Sequence, residues 1–451
     1  MAKSDKIILK DTSPFETENK ENQKALEDIY KKLLEGGNKY VDIIGGGIRR
    51  NDDEKILYRP YESFQRCKEW TAGRFVGEAS FKLEGKNKVI RLVIKPRFGT
   101  QFLVHMLEVI NNYRLPESIM KLKDGDDWNN IYQLILRYLW LAKFSKADRY
   151  GLPKQTVKRT YDGVQIRGRL NVRKSIRPYF LKKEVVSEYR EKEIDNTIGR
   201  IVYKAYTILS DKKNGLTNIP PQIQDSINDL ISRYKGDHQI KISEREYLSI
   251  NYKSIYVSWK PLVDLSWQII KQRGFDPDQC IEEDGFGIFF DMAEIWESYI
   301  GKVLSDKFHH YTENNSNFSL FEKFDQKIIP DYISREYDDT MNSAVAVGDA
   351  KYMNLENRSK LEGEQTYSVY YKTIMYMHRF NSRKGFIFYP IAPGEDEDDG
   401  FKECQIQEYQ IKNTDSSIIM VGFRVPKMQN TTNYKEELKN FQDKVFRVLE
   451  S

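Results

Sequence analysis

The sequence predicts a multidomain α+β protein, because three different patterns follow one another along its 451 residues. β-Branched and aromatic residues dominate residues 41–100, helical periodicity dominates the middle of the chain, and helices alternate with strands after residue 276. A chain of this length has room for two or three domains of ordinary size. We therefore predict a small N-terminal β-rich domain at 1–100, a mainly helical domain at 101–275 and a C-terminal α/β domain at 276–451.

The N-terminal part contains an amphipathic segment from Ala25 to Leu34, which is closed by Gly36 and Gly37. Two strand-like runs follow it, SFQRCKEWTAGRFVGEASFKLEG and KVIRLVIKPRFG. The short stretch 85–87 between them predicts a hairpin turn. The β-rich part of this domain is therefore placed at roughly 41–100.

The middle of the chain is predicted to be helical at 102–112, 131–147, 188–210, 221–234 and 253–273. A basic segment interrupts these helices, and its core VQIRGRL (164–170) predicts a strand or an extended arm. Residues 151–200 contain thirteen Lys or Arg against six Asp or Glu. This excess is consistent with phosphate-backbone contact, although a solvated surface or a partner-facing role explains it equally well. The candidates for DNA contact are Arg167, Arg169, Arg173 and Lys174.

Composition argues against several classes of protein. Charged residues make up 31% of the chain, and no apolar run reaches the roughly 18 residues that a membrane-spanning helix needs. The N-terminus lacks the continuous apolar core of a secretion signal. Cys67, Cys280 and Cys404 are scattered and form no CxxC pair, so neither a disulfide framework nor a zinc site is expected. A reducing cytoplasm is the simplest location.

The C-terminal part alternates helices and strands. The segment DMAEIWESYIGKVLSDKF is predicted to be a helix whose apolar face carries Met292, Ile295, Trp296, Tyr299, Ile300 and Val303. KIIPDYI and AVAVGDAKYM read as two strands, YSVYYKTIMYMHRF as a helix, GFIFYP and SIIMVGFRV as further strands, and 434–449 as a final helix. Mixed elements in this order predict a small α/β sheet.

Three acidic residues and one lysine occupy informative positions in this pattern. Asp331 is predicted at the end of the strand KIIPD, and Asp349 and Lys351 at the end of the strand AVAVGDAK. Residues i and i+2 of a strand share a face, so Asp349 and Lys351 should project together. Glu297 follows Trp296 on the apolar side of the preceding helix, where an unpaired acid is costly.

This set of residues suits phosphodiester hydrolysis. Carboxylates and a backbone carbonyl are the hard oxygen ligands that Mg²⁺ prefers, with Mn²⁺ as a substitute. Asp331 and Asp349, with the Ala350 carbonyl, are therefore expected to bind the metal, and Glu297 to support the metal or its water shell. Lys351 is expected to position the attacking water and to stabilise developing negative charge.

A structural alternative stands beside this interpretation. An exposed turn aspartate and an ordinary ion pair between Asp349 and Lys351 would give the same short pattern by chance. The context favours the catalytic interpretation, because both motifs end apolar strands and a helix precedes and follows them. The helix–strand–strand–helix–strand order resembles the nuclease core of the PD-(D/E)XK superfamily.

The chain as a whole resembles the McrC-type subunits of McrBC-like restriction systems, including the LlaJI-like branch. FDMAEIWESYI resembles the family's D-M-x-x-L-F-E-x-F-V segment, and IIPD and VGDAKY resemble its L-x-P-D and I-x-D-x-K-Y segments. VQIRGRL is similar to its L-R-G-R-I element, EYREKEIDNTIGRIVYKA to its middle helix, and IKPRFG to its I-x-P-K-I segment. Their common order along the chain carries the resemblance.

The resemblance implies an endonuclease subunit that cuts double-stranded DNA when it is assembled with a McrB-like AAA+ GTPase hexamer. It also implies that the N-terminal β domain inserts in that ring, stimulates its GTPase and leaves GTP binding to the partner. Consistently, the chain has no GxxxxGK[ST] motif of its own. Two alternatives stay open, a non-cleaving adaptor that activates the motor and a self-sufficient nuclease.

Two features depart from the family pattern: Asn196 and Arg200 of the middle segment are present but not adjacent, and the helix after the DxK motif differs at one position. The helix after the DxK motif usually reads Y-Q-M-x-A-Y, and here Lys372 stands at the glutamine position, where it is a candidate for phosphate contact. Residues 47–50 are a candidate ring-contacting tip or a plain surface loop. His309 and His310 are expected at a helix end. The tyrosines 370, 371 and 376 are expected in the core, with base stacking as a minor option.

Overall fold

A computed structural model gives the fold of the chain. It describes residues 5–15, 20–36, 41–44, 55–62, 67–82, 89–112, 128–210, 219–236, 242–273, 285–312, 318–324, 326–336, 343–353, 364–392, 405–426 and 431–450. Contacts group the chain into two compact units, one formed by residues 1–132 and 277–451, the other by 133–276. The predicted turn at 85–87 and the candidate tip at 47–50 lie outside the described residues.

The strands and helices of the described residues have the following bounds. The strands are β1 (Asp5–Lys10), β2 (Pro14–Phe15), β3 (Val41–Ile44), β4 (Leu57–Tyr58), β5 (Trp70–Ala72), β6 (Phe75–Lys82), β7 (Val89–Lys95), β8 (Lys154–Gly163), β9 (Arg169–Leu170), β10 (Val185–Ile194), β11 (Gly285–Asp291), β12 (Phe308–His310), β13 (Tyr332–Ser334), β14 (Ala346–Ala350), β15 (Lys384–Ile391), β16 (Gln405–Gln410) and β17 (Ser417–Arg424). The helices are α1 (Lys20–Gly36), α2 (Thr100–Asn111), α3 (Trp128–Ala147), α4 (Val172–Lys182), α5 (Asn196–Leu209), α6 (Pro221–Tyr234), α7 (Glu244–Leu248), α8 (Lys260–Arg273), α9 (Met292–Val303), α10 (Glu364–Arg379) and α11 (Thr431–Glu450).

The N-terminal sheet has the strand order β1-β7-β6-β11-β3. Helix α1 covers it, because Leu26 and Ile29 of its apolar face pack with Phe81 and Leu92 of the sheet. A second, smaller sheet has the order β2-β5-β4. The β-rich character predicted for this part of the chain is therefore present.

The position of strand β11 differs from the one that the predicted domain boundaries imply. The sequence assigned residues 285–291 to the C-terminal domain, but the strand pairs antiparallel with β6 and parallel with β3 inside the N-terminal sheet. The helix α9 begins directly after it at Met292. One continuous segment therefore joins the N-terminal sheet to the C-terminal sheet within a single compact unit.

The unit formed by residues 133–276 combines helices with a three-stranded sheet of order β8-β10-β9. Its helices pack around buried aromatic side chains, and the indole of Trp140 donates a hydrogen bond of 2.9 Å to Ser266. The predicted helix at 221–234 is present as α6. The helix α4 was not predicted from the sequence.

Residues 188–194 were expected to be helical, and this prediction is wrong. They belong to β10, which pairs with β8 over ten residues. The segment EYREKEI has a high local helix propensity, but the ladder satisfies its backbone and places Glu193 where it receives hydrogen bonds from Arg159 and Arg233. Tertiary pairing therefore overrides the local preference.

The C-terminal sheet has the order β12-β13-β14-β15-β17-β16. Strands β12 to β14 form an antiparallel meander, and β14, β15 and β17 run parallel. Helix α10 packs on one face through Met377 and Phe380 against Ile387 and Ile418. Trp296 of α9 contacts the opposite face, where its indole donates to the carbonyl of Phe388.

The predicted apolar face of α9 is buried as a whole, over the positions Met292, Ile295, Trp296, Tyr299, Ile300 and Val303. The tyrosines of α10 differ in burial. Tyr376 is buried, as predicted, whereas Tyr371 is 64% exposed and does not belong to the core. None of the helices in the described part of the chain could span a lipid bilayer.

Candidate active site

Two strand ends meet in the middle of the C-terminal sheet. Strand β13 runs antiparallel to β14 with Tyr332 opposite Gly348, so the residue before β13 lies beside the last residues of β14. Asp331 occupies that position, and its Oδ2 accepts a hydrogen bond of 2.8 Å from the backbone amide of Ala350. The sequence placed Asp331 at the end of a strand; the structure places it before one. The antiparallel pairing then brings it to Asp349.

Asp349 and Lys351 lie together, as the i and i+2 spacing predicts. The Lys351 ammonium forms an ion pair with the Asp349 carboxylate, which is fully buried. The backbone amide of Lys351 donates 2.8 Å to the carbonyl of Phe388, so the pairing with β15 continues one residue past β14. Lys372 of α10 also reaches this cluster, and its Nζ lies 3.9 Å from Asp349 Oδ1.

Glu297 joins the site from helix α9 together with a residue that the sequence missed. The Nε2 atom of His310 lies 2.9 Å from Glu297 Oε1. His309 and His310 were expected at a helix end, but they belong to strand β12, which is the edge of the sheet. Gly301 allows this approach, because a Cβ at that position would come within 2.9 Å of the His310 ring.

Buried Tyr332 fixes the helix that carries Glu297. Its hydroxyl donates a hydrogen bond of 2.6 Å to the backbone carbonyl of Glu297, which ties α9 to the start of β13. Burial raises the pKa of this hydroxyl, and the neighbouring carboxylates of Asp331 and Glu297 raise it further. The tyrosine therefore stays protonated as a hydrogen-bond donor.

The carboxylates influence one another strongly. Burial raises the pKa of Asp331, and the charges of Asp349 and Glu297 raise it further. Burial also raises the pKa of Asp349, but Lys351 and Lys372 outweigh that effect and hold it below its usual value. The protein alone thus favours a proton on Asp331, and a cation at this place would favour its loss.

The oxygen atoms at this edge fit a hard divalent cation. Both oxygens of Asp349 are buried without a well-aligned hydrogen bond. The amide of Ala350 points to Asp331, and the carbonyl of a strand residue points to the same edge as its amide. Two carboxylates and one carbonyl are ligands that suit Mg²⁺. Within the described part of the chain, no group of three or more His, Cys, Asp or Glu side chains is arranged to hold a metal ion, and Glu297 is hydrogen-bonded to His310.

The predicted DNA-contacting residues lie in the other unit, around β9 and α4. All four are exposed, but two of them have partners. The guanidinium of Arg167 lies 4.2 Å from the centre of the Tyr161 ring, and the Lys174 ammonium lies 3.7 Å from Glu188. In the predicted arm at 164–170, Arg169 and Leu170 form the short strand β9, whereas residues 164–168 form no strand.

Sequence reasoning missed His310 and Tyr332. No local pattern marks His310, because it becomes relevant only when β12 pairs with β13 beside α9. The tyrosine follows Asp331 directly, so its place at the site was open to prediction once the strand start was known.

Comparison with solved structures finds the same fold. A chain of a structure described as a refined half-complex from a tetradecameric assembly of Thermococcus gammatolerans McrB AAA+ hexamers with bound McrC is 16% identical, with a TM-score of 0.56. The alignment covers 98% of this chain and 100% of that one. A second structure, the cryo-EM structure of the Thermococcus gammatolerans McrBC complex, aligns with 15% identity and a TM-score of 0.36, over 66% of this chain and 87% of that one. At these identities the likeness concerns the fold, and the second match is too weak to support an argument.

Comparison with families is more specific. No curated protein matches the chain significantly. The family model described as "McrBC 5-methylcytosine restriction system component" matches residues 71–390, which is well over half of the sequence and includes all of the residues Glu297, Asp331, Asp349 and Lys351. The chain therefore belongs to the McrBC family of restriction system components.

Proposed function

We propose that this chain is the Mg²⁺-dependent endonuclease subunit of a restriction system and that it hydrolyses phosphodiester bonds of double-stranded DNA. The observation that carries the proposal is the meeting of Asp331, Asp349 and Lys351 at the adjoining ends of β13 and β14. Buried acids gathered beside a lysine are expensive to maintain in a merely structural role. Membership of a restriction family supports a DNA substrate.

The arrangement of elements supports a PD-(D/E)XK nuclease core. Helix α9 precedes the antiparallel strands β12 to β14, helix α10 follows them, and β15 then pairs parallel to β14. The acidic residues stand at the centre of that sheet, where β13, β14 and β15 are neighbours. The sequence led us to expect the order helix–strand–strand–helix–strand, and the structure adds the edge strand β12 between α9 and β13.

Each residue of the proposed site has a separate role in the reaction. Asp331, Asp349 and the Ala350 carbonyl would hold the metal ion, and Glu297 supports it or its water shell from the side of His310. When bound, the ion would supply charge neutralisation on the phosphate and a more acidic water. Lys351 orients the attacking water and stabilises the negative charge that develops on the phosphate oxygens. Lys372, which is 47% exposed, is available to contact an adjacent phosphate.

The exposed basic residues around β9 and α4 are proposed to hold the DNA backbone. Arg169 and Arg173 carry this role best, because they are exposed whereas Arg167 already lies over Tyr161 and Lys174 already pairs with Glu188. The same surface exposes Val164 (78%) and Phe180 (75%), and exposed apolar patches are typical of protein contacts. Contact with a protein partner is therefore the alternative role of this surface, and an experiment must distinguish it from DNA binding.

The proposed partner is a McrB-like AAA+ GTPase hexamer whose GTPase this chain stimulates. In the structure that shares this fold, McrB AAA+ hexamers are assembled with bound McrC. The chain would then contribute the nuclease and the partner the GTP site. Two other functions compete with this one, a non-cleaving adaptor of the motor and a nuclease that needs no motor.

One experiment separates the three functions. The purified chain is incubated with methylated and unmethylated plasmid, with and without Mg²⁺, GTP and the AAA+ GTPase from the same organism. Cleavage only in the complete mixture, abolished by EDTA, supports the proposal. Stimulated GTP hydrolysis without any cleavage indicates the adaptor, and cleavage by the chain with Mg²⁺ alone indicates the self-sufficient nuclease.

A further inference from the structure

Three strand ends from distant parts of the sequence meet at a buried cluster of Asp11, Arg97 and Tyr352. Asp11 follows β1 and Arg97 follows β7, and these two strands are parallel neighbours whose ends lie side by side. Tyr352 follows Lys351 directly, just beyond β14. The cluster therefore connects the N-terminal sheet to the residue next to the proposed catalytic lysine.

Arg97 makes the connecting contacts. Its Nη2 atom donates a hydrogen bond of 3.0 Å to the backbone carbonyl of Tyr352. The guanidinium also lies over two aromatic rings, 4.5 Å from the centre of Tyr352 and 4.6 Å from that of Phe98. Its Nη1 atom donates a hydrogen bond to the Thr12 hydroxyl. A planar group with several donors is needed to meet a carbonyl and two ring faces at once.

Asp11 holds Arg97 in this position. The Asp11 carboxylate accepts a hydrogen bond from the backbone amide of Arg97, and its other oxygen lies 3.9 Å from the guanidinium. Asp11 is fully buried, and only 16% of the Arg97 side chain is exposed. A buried ion pair is seldom more stabilising than well-packed apolar residues. Its presence here is better explained by the geometry that it imposes.

The backbone at Lys351 is thereby held from two sides. Its own amide donates to the carbonyl of Phe388 in β15, and the next carbonyl, of Tyr352, accepts from Arg97. The Lys351 side chain can stay beside Asp349 only while this short piece of backbone keeps its place.

We infer that Arg97, supported by Asp11, is a positioning residue that fixes Lys351 beside Asp349 and so couples the N-terminal sheet to the nuclease site. Its consequence for cleavage rests on the proposed nuclease function, but the positioning itself does not. A displacement of about 1 Å at a reacting group lowers turnover by up to about 100-fold. Loss of Arg97 should therefore reduce turnover by about 10- to 100-fold without weakening DNA binding.

The test compares Arg97→Ala and Arg97→Lys with the matched control Arg91→Ala. Arg91 lies on β7, six residues before Arg97, and pairs with the buried carboxylate of Glu78 at 2.5 Å. Its loss removes a similar ion pair from β7, the strand that Arg97 follows. Two quantities are measured on the full-length protein. The first is hydrogen exchange of the backbone amides at 349–353 without metal, and the second is the turnover and half-saturating DNA concentration of the assembled system.

We expect Arg97→Ala to accelerate exchange at the Lys351 amide and to lower turnover while the half-saturating DNA concentration stays constant. Arg97→Lys should recover part of both effects, because lysine keeps the charge and a donor but not the planar stacking. Arg91→Ala should show neither. Unchanged exchange in Arg97→Ala, or equal effects in Arg91→Ala, would overturn the inference. If the wild type fails to cleave, the nuclease proposal falls, while the exchange data still decide whether Arg97 positions Lys351.

Discussion

The backbone amide of Ala350 donates a hydrogen bond of 2.8 Å to the carboxylate of Asp331, although 19 residues separate the two in sequence. This bond leaves the Ala350 carbonyl at the same strand edge as the Asp331 carboxylate. Asp349 stands next in the strand, beside the ammonium of Lys351. A single contact between two strand ends thus gathers the oxygen atoms that the proposed metal site requires.

Glu297 is expected to support the reaction from outside the metal ligands. Glu297→Gln keeps the size of the side chain and its contact with His310 but removes the charge, so cleavage should fall by about 10- to 100-fold. The fold should be retained, because the Glu297 side chain is 20% exposed. The rate of plasmid cleavage at constant Mg²⁺ measures the effect.

The matched control for that change is Glu408→Gln. Glu408 is an exposed carboxylate on β16, the opposite edge of the same sheet from His310. Wild-type cleavage by Glu297→Gln, or an equal loss in both variants, would remove Glu297 from the proposed site.

The basic surface should contribute to DNA affinity through phosphate contacts. Replacing Arg169 and Arg173 by Ala removes two exposed charges, so the slope of log affinity against log salt should become shallower by roughly 2. Arg245→Ala, an exposed arginine on α7 of the same unit, should leave the slope unchanged. The measurement is fluorescence anisotropy with duplex DNA over a range of salt. An unchanged slope, with lost binding of the AAA+ partner, would instead assign this surface to the partner.

Asp11 should make the stability of the protein depend on pH in a definite direction. Burial raises its pKa to about 6, although Arg97 acts in the opposite sense. The folded state therefore binds this proton more tightly than the unfolded state, whose carboxyl has a pKa near 3.8. Stability contributed at this residue is fully present below about pH 4 and is lost as the pH rises through about 6. An offset of about 2 pH units corresponds to roughly 3 kcal/mol.

Asp11→Asn tests this dependence, because the amide cannot ionise. The free energy of unfolding of the wild type minus that of Asp11→Asn should fall between pH 4 and pH 6 and then level off. Urea denaturation at several pH values gives both quantities. A difference that rises with pH over this interval would show that the carboxylate, not the acid, is the form that the fold prefers.

The sequence was informative where the deciding interactions are local. Asp349 and Lys351 share a face because of the two-residue period of a strand, and the apolar face of α9 follows from helical periodicity. Both features are therefore readable without knowledge of the partners. The ion pair between Asp349 and Lys351 is the direct result of that spacing.

Features that depend on pairing between strands far apart in the sequence could not be predicted in the same way. Residues 285–291 join the N-terminal sheet because β6 and β3, more than 200 residues earlier, offer free edges. His310 meets Glu297 only through the pairing of β12 with β13, and residues 188–194 form a strand only because β8 is present. The same reason explains the position of Asp331, which lies beside Asp349 because β13 and β14 pair antiparallel.

The most direct test of the central claim is the cleavage of plasmid DNA by the assembled system with Asp349→Asn, which keeps the size of the side chain but removes its charge. We predict that the wild type and the control Asp443→Asn, an exposed position on α11, convert the plasmid to linear product. Asp349→Asn should give none, while its assembly with the AAA+ partner and its stimulation of GTP hydrolysis match those of the wild type. Cleavage by Asp349→Asn at the wild-type rate would contradict the assignment of this site.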